Sequence, residues 1–252
     1  MSSQRQRRSG TSALQTTRAV VLRTIKYSDK SSVMRVYTER FGLRSYMVRV
    51  GSKDRSILAA LQPLSRLELV APEGAEHELL TVRDMRIDRP FTRLREEPIR
   101  GLLLLFAQEV FNRTLREETA DPYLFGFIER TLEALDTGDD LAHQPLFLLV
   151  GLCKHLGFSP EVPTGGECAF DLREGYFLPA EAPHELCMGP GPTALFAHIL
   201  LRCEEPLQVA APFTSDPQVR RRLLDDLLIY YRLHVEGFGE LKSLDVLRSV
   251  LA

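Results

Sequence analysis

Val20-Val-Leu-Arg-Thr-Ile-Lys26, Val33-Met-Arg-Val-Tyr-Thr38 and Leu43-Arg-Ser-Tyr-Met-Val-Arg-Val50 are three short runs rich in β-branched and aromatic residues, and all lie in the stretch from Arg18 to Pro63. The polar turn Tyr27-Ser-Asp-Lys-Ser-Ser32 separates the first two runs, and a tight Phe41-Gly42 corner separates the second from the third. Runs of this length and composition, punctuated by turn residues, form a meander of strands. In the second run Met34 and Val36 fall on one face while Val33, Arg35 and Tyr37 fall on the other, the period of two of a half-buried strand.

Working outward, the loop Gly51-Ser-Lys-Asp-Arg-Ser56 leads to Leu61-Gln-Pro-Leu64, and a fourth strand is expected over Leu64 to Ala71, with Leu67 and Leu69 inward and Arg66 and Glu68 outward. Pro72-Glu-Gly74 ends it, and a fifth strand runs from Glu78 to Ile87. Five short antiparallel strands in this span fit a small, partly open barrel of the OB type, with an SH3-like barrel as the alternative that periodicity does not separate. Residues 1–14 are polar and Arg/Ser/Gln-rich and read as a disordered basic tail.

After Pro90 the apolar period lengthens to about 3.6, which marks a domain boundary and the start of helices. Ile99, Leu102, Leu103, Phe106, Val110 and Phe111 line one helical face behind Pro98; Asp121-Pro122 opens a second helix that runs to Leu135 before Gly138; a third spans Ala142 to Leu156 and stops at Gly157. Residues 158–192 are Pro- and Gly-rich, with a short hairpin expected over Asp171 to Leu178. Helices resume over Thr193 to Cys203, behind the cap Asp216-Pro217, and after Ser243. The fold class is therefore α+β and multidomain: a barrel over 15–90, then an all-α domain over 91–252 carrying an irregular insert.

Charge divides along the same line. Residues 1–100 hold 20 Lys and Arg against 11 Asp and Glu, a net of +9, and the remaining residues hold 12 against 23, a net of -11. Ten cations fall between Arg18 and Arg55, opposed only by Asp29, Glu39 and Asp54. A groove carrying several of them gains affinity for phosphates by counterion release, and the interleaved Tyr27, Tyr37, Phe41 and Tyr46 are candidate platforms for unstacked bases. The expected DNA-binding residues are Arg23, Lys26, Arg35, Tyr37, Arg44, Tyr46, Arg49, Lys53 and Arg55.

Catalytic signatures are missing: no phosphate-binding glycine loop, no HExxH, no GxSxG and no ligand-spaced histidine pair occurs. No catalytic residue and no cofactor is assigned, and the chain reads as a binder rather than an enzyme. Cys153 and Cys203 fall in apolar helical patterns and are expected to be buried, while Cys168 and Cys187, which flank a loop region near His184, form no CxxC pair, so no metal is expected. The longest apolar runs are too short to span a bilayer and no signal peptide is evident, so a cytoplasmic location is expected.

With these residues laid out, the chain resembles the RecO family of bacterial recombination mediators. The resemblance rests on Ala19 to Thr24, Tyr27-Ser-Asp29, Val36-Tyr-Thr38, Phe41-Gly-Leu43, Gly51 to Ser56, Leu61 to Leu69, Leu149 to Pro160 and Phe170 to Phe177, in this order and across nearly the whole chain. It implies an N-terminal OB-fold and a C-terminal helical domain. It also implies a nucleoid-associated protein that binds single- and double-stranded DNA, anneals complementary strands and, with RecR and the single-strand-binding protein, helps load the RecA recombinase. The family's cations after the third strand correspond to Lys53 and Arg55. Many members carry a zinc module of paired cysteines, from which this sequence departs, so the insert is expected to persist without zinc. The acidic tail of the single-strand-binding protein is expected in the helical half, with Arg113, Arg130 and Lys154 as the nearest cations. An alternative reading is a scaffold whose basic barrel contacts an acidic protein partner instead of DNA.

Overall fold

A computed structural model of the chain describes residues 13–51, 54–72, 79–116, 119–163, 165–179, 183–204, 215–244 and 248. They divide into two compact units, one made of residues up to Pro90 with a short segment ending at Asp121, the other of the remainder.

The first unit is a curled six-stranded sheet. β1 (Leu14–Ser28), β2 (Ser31–Thr38) and β3 (Gly42–Arg49) form two successive hairpins, and β4 (Arg66–Pro72) returns to pair with the free side of β1. The order β3-β2-β1-β4 is the Greek-key arrangement. β1 can serve both neighbours because it is long and bent: Leu14–Val20 pairs with β4, and Ala19–Ser28 with β2, with an irregularity between Val21 and Arg23. The expected fifth strand is divided into β5 (Leu80–Thr81), on the edge of β3, and β6 (Asp84–Ile87), on the edge of β4. Between them Val82 donates its N–H to Met47 O (3.2 Å) and Arg83 donates to Val70 O (2.9 Å), so one segment joins both edges and curls the sheet toward closure. This is consistent with the OB-type barrel expected from the sequence, although the strand count is six.

The barrel interior holds Ala19, Val21, Met34, Val36, Tyr46, Val48, Leu67, Leu69 and Ala71, each at most 5% exposed. Full burial of each Val, Leu or Met side chain contributes roughly 1.5–3 kcal/mol. A six-residue helix absent from the sequence expectation, α1 (Arg55–Ala60), adds Ile57, Ala60 and Leu61 to that core. Asp54 caps it by accepting the Ile57 N–H at 3.2 Å, and Thr24 Oγ1 donates to Leu61 O at 2.9 Å. The β1–β2 turn is shorter than expected, since the strands run to Ser28 and from Ser31. Arg66, expected outward, is only 3% exposed, and its Nε donates to Arg89 O at 3.2 Å. Of the expected basic tail, residues 1–12 lie outside the described residues, while Leu14 already belongs to β1.

The second unit contains α2 (Pro98–Thr114), α3 (Pro122–Thr137), α4 (Gln144–Leu156), α5 (Pro190–Glu204) and α6 (Pro217–His234). α4 stops where the sequence expected, at Gly157 with φ +81°, a conformation that glycine adopts without penalty. Asp216 caps α6 by accepting the Gln218 and Val219 N–H groups at 2.6 and 3.3 Å. The unit is not all helical: β7 (Ala169–Asp171), β8 (Tyr176–Leu178) and β9 (Cys187–Met188) form a small sheet in the order β8-β7-β9. Phe170, from β7, packs edge-on against Phe177, Phe196 and Tyr230, so the sheet is anchored by an aromatic cluster. Cys153 is fully buried, as expected, and burial pushes its thiol up to about 12; Cys203, also expected buried, is only half-buried. Most of the last expected helix lies outside the described residues.

Candidate nucleic-acid interface

The β1–β2–β3 register decides which cations share a surface. On the face opposite the barrel core, Arg23, Arg35 and Ser45 form one rung, Ile25, Val33 and Met47 the next, and Ser28, Ser31 and Arg49 the third. Directly opposed side chains in such rungs have Cβ atoms about 4.5–5.5 Å apart. Arg23 and Arg49 are exposed, Arg35 is half-buried, and Ile25 is 50% exposed. None of these three rungs contains a carboxylate. The Val50 N–H donates to Lys30 O at 2.9 Å, which ties the β1–β2 turn to the end of β3 and brings the exposed Lys30 to the same end of the sheet.

The remaining expected DNA-binding residues separate from this set. Lys26 and Arg44 occupy rungs of the core-facing side, beside Ser32 and Val36 respectively. Lys26 is exposed at the barrel end and pairs with Asp29 at 2.8 Å, while Arg44 is half-buried and donates from Nη1 to Leu43 O at 2.8 Å. Arg55 is exposed at the start of α1, and Lys53 lies outside the described residues.

The two tyrosines need correction as stacking platforms. Tyr37 and Tyr46 are both 0% exposed, so neither ring offers a face to a base in this fold. Burial pushes the Tyr46 phenol up, and the nearby Arg44 charge only partly opposes that. Of the aromatics interleaved in the basic stripe, the exposed one is instead Tyr27, 69% exposed at the second irregularity of β1. The apolar rung of Ile25, Val33 and Met47 lies on the same candidate face and is not among the residues expected from the sequence. Its signal, apolar residues on the same face as Arg35, was present in the alternation of β2, but the register that joins three strands into one rung was not. Arg18, counted in the basic stripe, is engaged by Glu39 through two bonds of 2.9 and 2.6 Å, and that hydrogen bonding holds the Glu39 carboxyl below its usual range.

Among the cations expected to meet an acidic peptide, Arg130 and Lys154 flank one feature. Phe127 of α3 lies over α4 where Gly151 has no side chain: a Cβ there would stand 2.5 Å from Phe127 Cε2. The same ring lies 5.0 Å from the His155 ring. Arg130 is one turn from Phe127 on α3, and Lys154 is one turn from Gly151 on α4; both are exposed, as is Tyr123 (82%) on the preceding turn of α3. Arg113 does not join them. Its Nη1 donates to Phe238 O and its Nη2 to Glu109 Oε1 (2.8 Å), while Glu109 also accepts the Lys242 and Ser243 N–H groups at 3.0 and 2.9 Å, so Arg113 serves to hold residues 238–243 against α2.

Among the described residues no helix is long and apolar enough to cross a membrane. The described cluster of metal-ligating type is Asp171, His184 and Cys187, in the small sheet of the second unit.

Comparison with known proteins covers most of the chain. The family model described as Recombination protein O N terminal matches residues 13–91, and that described as Recombination protein O C terminal matches residues 95–245. A DNA repair protein RecO of Flavobacterium psychrophilum is 31% identical over 239 residues, covering 94% of this chain and 98% of that protein. The DNA repair protein RecO of Bacteroides fragilis is 30% identical over 243 residues, 94% of this chain and 99% of its own length. That of Phocaeicola vulgatus is 29% identical over 243 residues, 95% of this chain and all 100% of its own length.

Proposed function

The chain belongs to the RecO family of DNA repair proteins, and from that premise we propose that it is a non-catalytic recombination mediator whose barrel holds DNA on the outer face of β1, β2 and β3. The observation that carries this reading is the Arg23–Arg35 rung, with the apolar Ile25–Val33–Met47 rung beside it and Arg49 beyond. Cations along such a face neutralise backbone phosphates and release their counterions, while an apolar strip between them suits unstacked base faces and carries no base code. Tyr27 stands at the hairpin end of the face as its stacking platform. The strand order with α1 between β3 and β4 supports an OB-fold, an architecture that binds oligonucleotides across its second and third strands.

Binding of this kind is steep in salt and indifferent to sequence. Annealing follows from it, because a surface that screens the phosphates of two strands removes the repulsion that keeps complementary strands apart. Loading of RecA with RecR rests on the family premise. The test is a titration of labelled single-stranded and duplex oligonucleotides with the full-length protein across a salt series, followed by an annealing assay on complementary strands. Salt-dependent binding with little base preference, together with accelerated annealing, is expected. Absence of binding even at low salt would favour the scaffold reading, in which this face meets an acidic protein.

The α3–α4 surface supports a second contact, for the acidic tail of the single-strand-binding protein. Phe127 supplies an apolar seat, and Arg130 and Lys154 supply the charges for carboxylates on either side. This contact has to act at short range, because the sequence from residue 101 onward carries a net charge of -11 that repels an acidic peptide at a distance.

A further inference from the structure

Four cysteines close enough for a zinc module of the family type are not present among the described residues: Cys153 is buried in α4, Cys203 is on α5, and Cys168 and Cys187 stand singly. The small sheet supplies a different donor set. The β7–β9 register puts Asp171 directly opposite Cys187, and the turn entering β9 brings back His184, three residues before Cys187. Asp171 divides its two oxygens. Oδ1 accepts the N–H groups of Arg173 (2.9 Å) and Glu174 (3.1 Å), which closes the β7–β8 turn, and Oδ2 faces His184 Nε2 at 3.0 Å. Cys187 Sγ lies 3.7 Å from that nitrogen and 3.4 Å from Nδ1, within sulfur hydrogen-bond distance of both. One ligand atom from each of the three residues falls within 4.8 Å of the others.

Two of the three separations fit a shared cation. Zinc binds nitrogen and oxygen at about 2.0–2.1 Å and sulfur at about 2.3 Å in a tetrahedron, so its ligand atoms stand roughly 3.3–3.7 Å apart. The nitrogen–oxygen and nitrogen–sulfur separations here lie within a few tenths of an ångström of that range. Oxygen, imidazole nitrogen and thiolate form a donor set of borderline softness, suited to zinc and unlike the all-oxygen sets of magnesium and calcium. His184 is 44% exposed and Cys187 half-buried, so solvent reaches the open side.

We propose that Asp171 Oδ2, His184 Nε2 and Cys187 Sγ form a three-ligand site for a zinc-class divalent cation, with water in the fourth position, in place of a four-cysteine module. The Asp171 oxygen is positioned by the two backbone N–H groups on its other oxygen, an outer-shell support of the kind metal ligands receive. Bound metal ties β9 and its preceding turn to the β7–β8 hairpin, so part of its binding energy becomes stability of that sheet.

The test uses the full-length protein, stripped with a chelator and dialysed. Zinc is titrated against a chromophoric competitor, and cobalt(II) is added separately to read thiolate-to-metal charge-transfer absorption. One zinc per chain, a raised unfolding temperature with zinc and a charge-transfer band with cobalt are expected. Loss of an outer-shell partner alone costs about 10–100-fold in metal affinity, so His184→Gln and Cys187→Ser should each cost at least that much. Cys187→Ser should also abolish the charge-transfer band, and Cys168→Ser should change nothing. His184 and Cys187 are both solvent-accessible, and circular dichroism of the metal-free variants checks that they fold. Absence of saturable zinc binding, or binding that survives His184→Gln and Cys187→Ser combined, overturns the proposal, as does binding lost in Cys168→Ser alone.

Discussion

Arg23 and Arg35 stand directly opposite one another across the β1–β2 ladder, on the face turned away from the barrel core. Like charges in that relation destabilise a sheet, and the anionic ligand proposed above would neutralise both. Reversing the pair, Arg23→Glu with Arg35→Glu, should lower single-stranded DNA affinity at least tenfold at low salt. It should also flatten the plot of log affinity against log salt by about 0.7 for each phosphate that is no longer neutralised. A salt series by fluorescence anisotropy reads both quantities, and an unchanged slope would remove this rung from the interface.

Tyrosines that look alike in the sequence should behave differently. Tyr27→Ala is expected to weaken single-stranded binding about fivefold or more, as loss of one stacked base does. Tyr46→Phe should leave affinity unchanged. Among the described residues the Tyr46 hydroxyl meets no hydrogen-bond partner, so its removal should hold or raise stability in a denaturant titration.

On the helical unit, Arg130→Glu and Lys154→Glu should each weaken binding of a peptide ending in the acidic tail of the single-strand-binding protein. Gly151→Leu should do the same by displacing Phe127. Arg113→Glu should instead lower the unfolding temperature, because it releases Phe238 and Glu109, and leave peptide affinity in the folded protein within about twofold. Calorimetry with the four variants separates the two behaviours.

Asp136 is 2% exposed and accepts the N–H groups of Thr92, Arg93 and Leu94 at 2.9, 2.9 and 2.7 Å. Burial opposes its ionisation, but the three backbone donors outweigh that and hold the carboxyl below its usual range. Its contribution is therefore present above the unfolded value of about 3.9 and is lost as pH falls through the lower folded value. Asp136→Ala should cost about 3 kcal/mol near neutrality, read by chemical denaturation, with the deficit shrinking toward the acid limit.

Asp226 on α6 has the opposite sign. Burial raises its carboxyl to about 6, with the Arg222 charge only partly opposing and Asp225 adding to the effect. Stability associated with the protonated form is fully present below about pH 3.9 and is lost as pH rises through about 6. Asp226→Asn should accordingly raise stability above pH 7 by on the order of 1–2 kcal/mol, an advantage that disappears in acid. Unfolding curves at several pH values check this.

Local patterns determined much of the architecture. The alternation of Val33 to Tyr37, the caps at Asp216-Pro217 and the stop at Gly157 depend on residues a few positions apart, and the charge contrast between the halves depends on composition alone. α1 escaped notice because six residues give too little periodicity to distinguish a helix from a loop. What only the tertiary structure decided is which side chains meet across elements. The ladder placed Arg23 beside Arg35 and Asp171 beside Cys187, the barrel closed over Tyr46, and Arg113 was drawn to Phe238. The physical reason is that a strand shifted by one residue presents its opposite face, and a cation binds whichever oxygen the fold brings within reach. Neither outcome is encoded in neighbouring residues, so the cations of the basic stripe were sorted between an outer sheet face, a barrel end and the Arg18–Glu39 ion pair only when the chain folded.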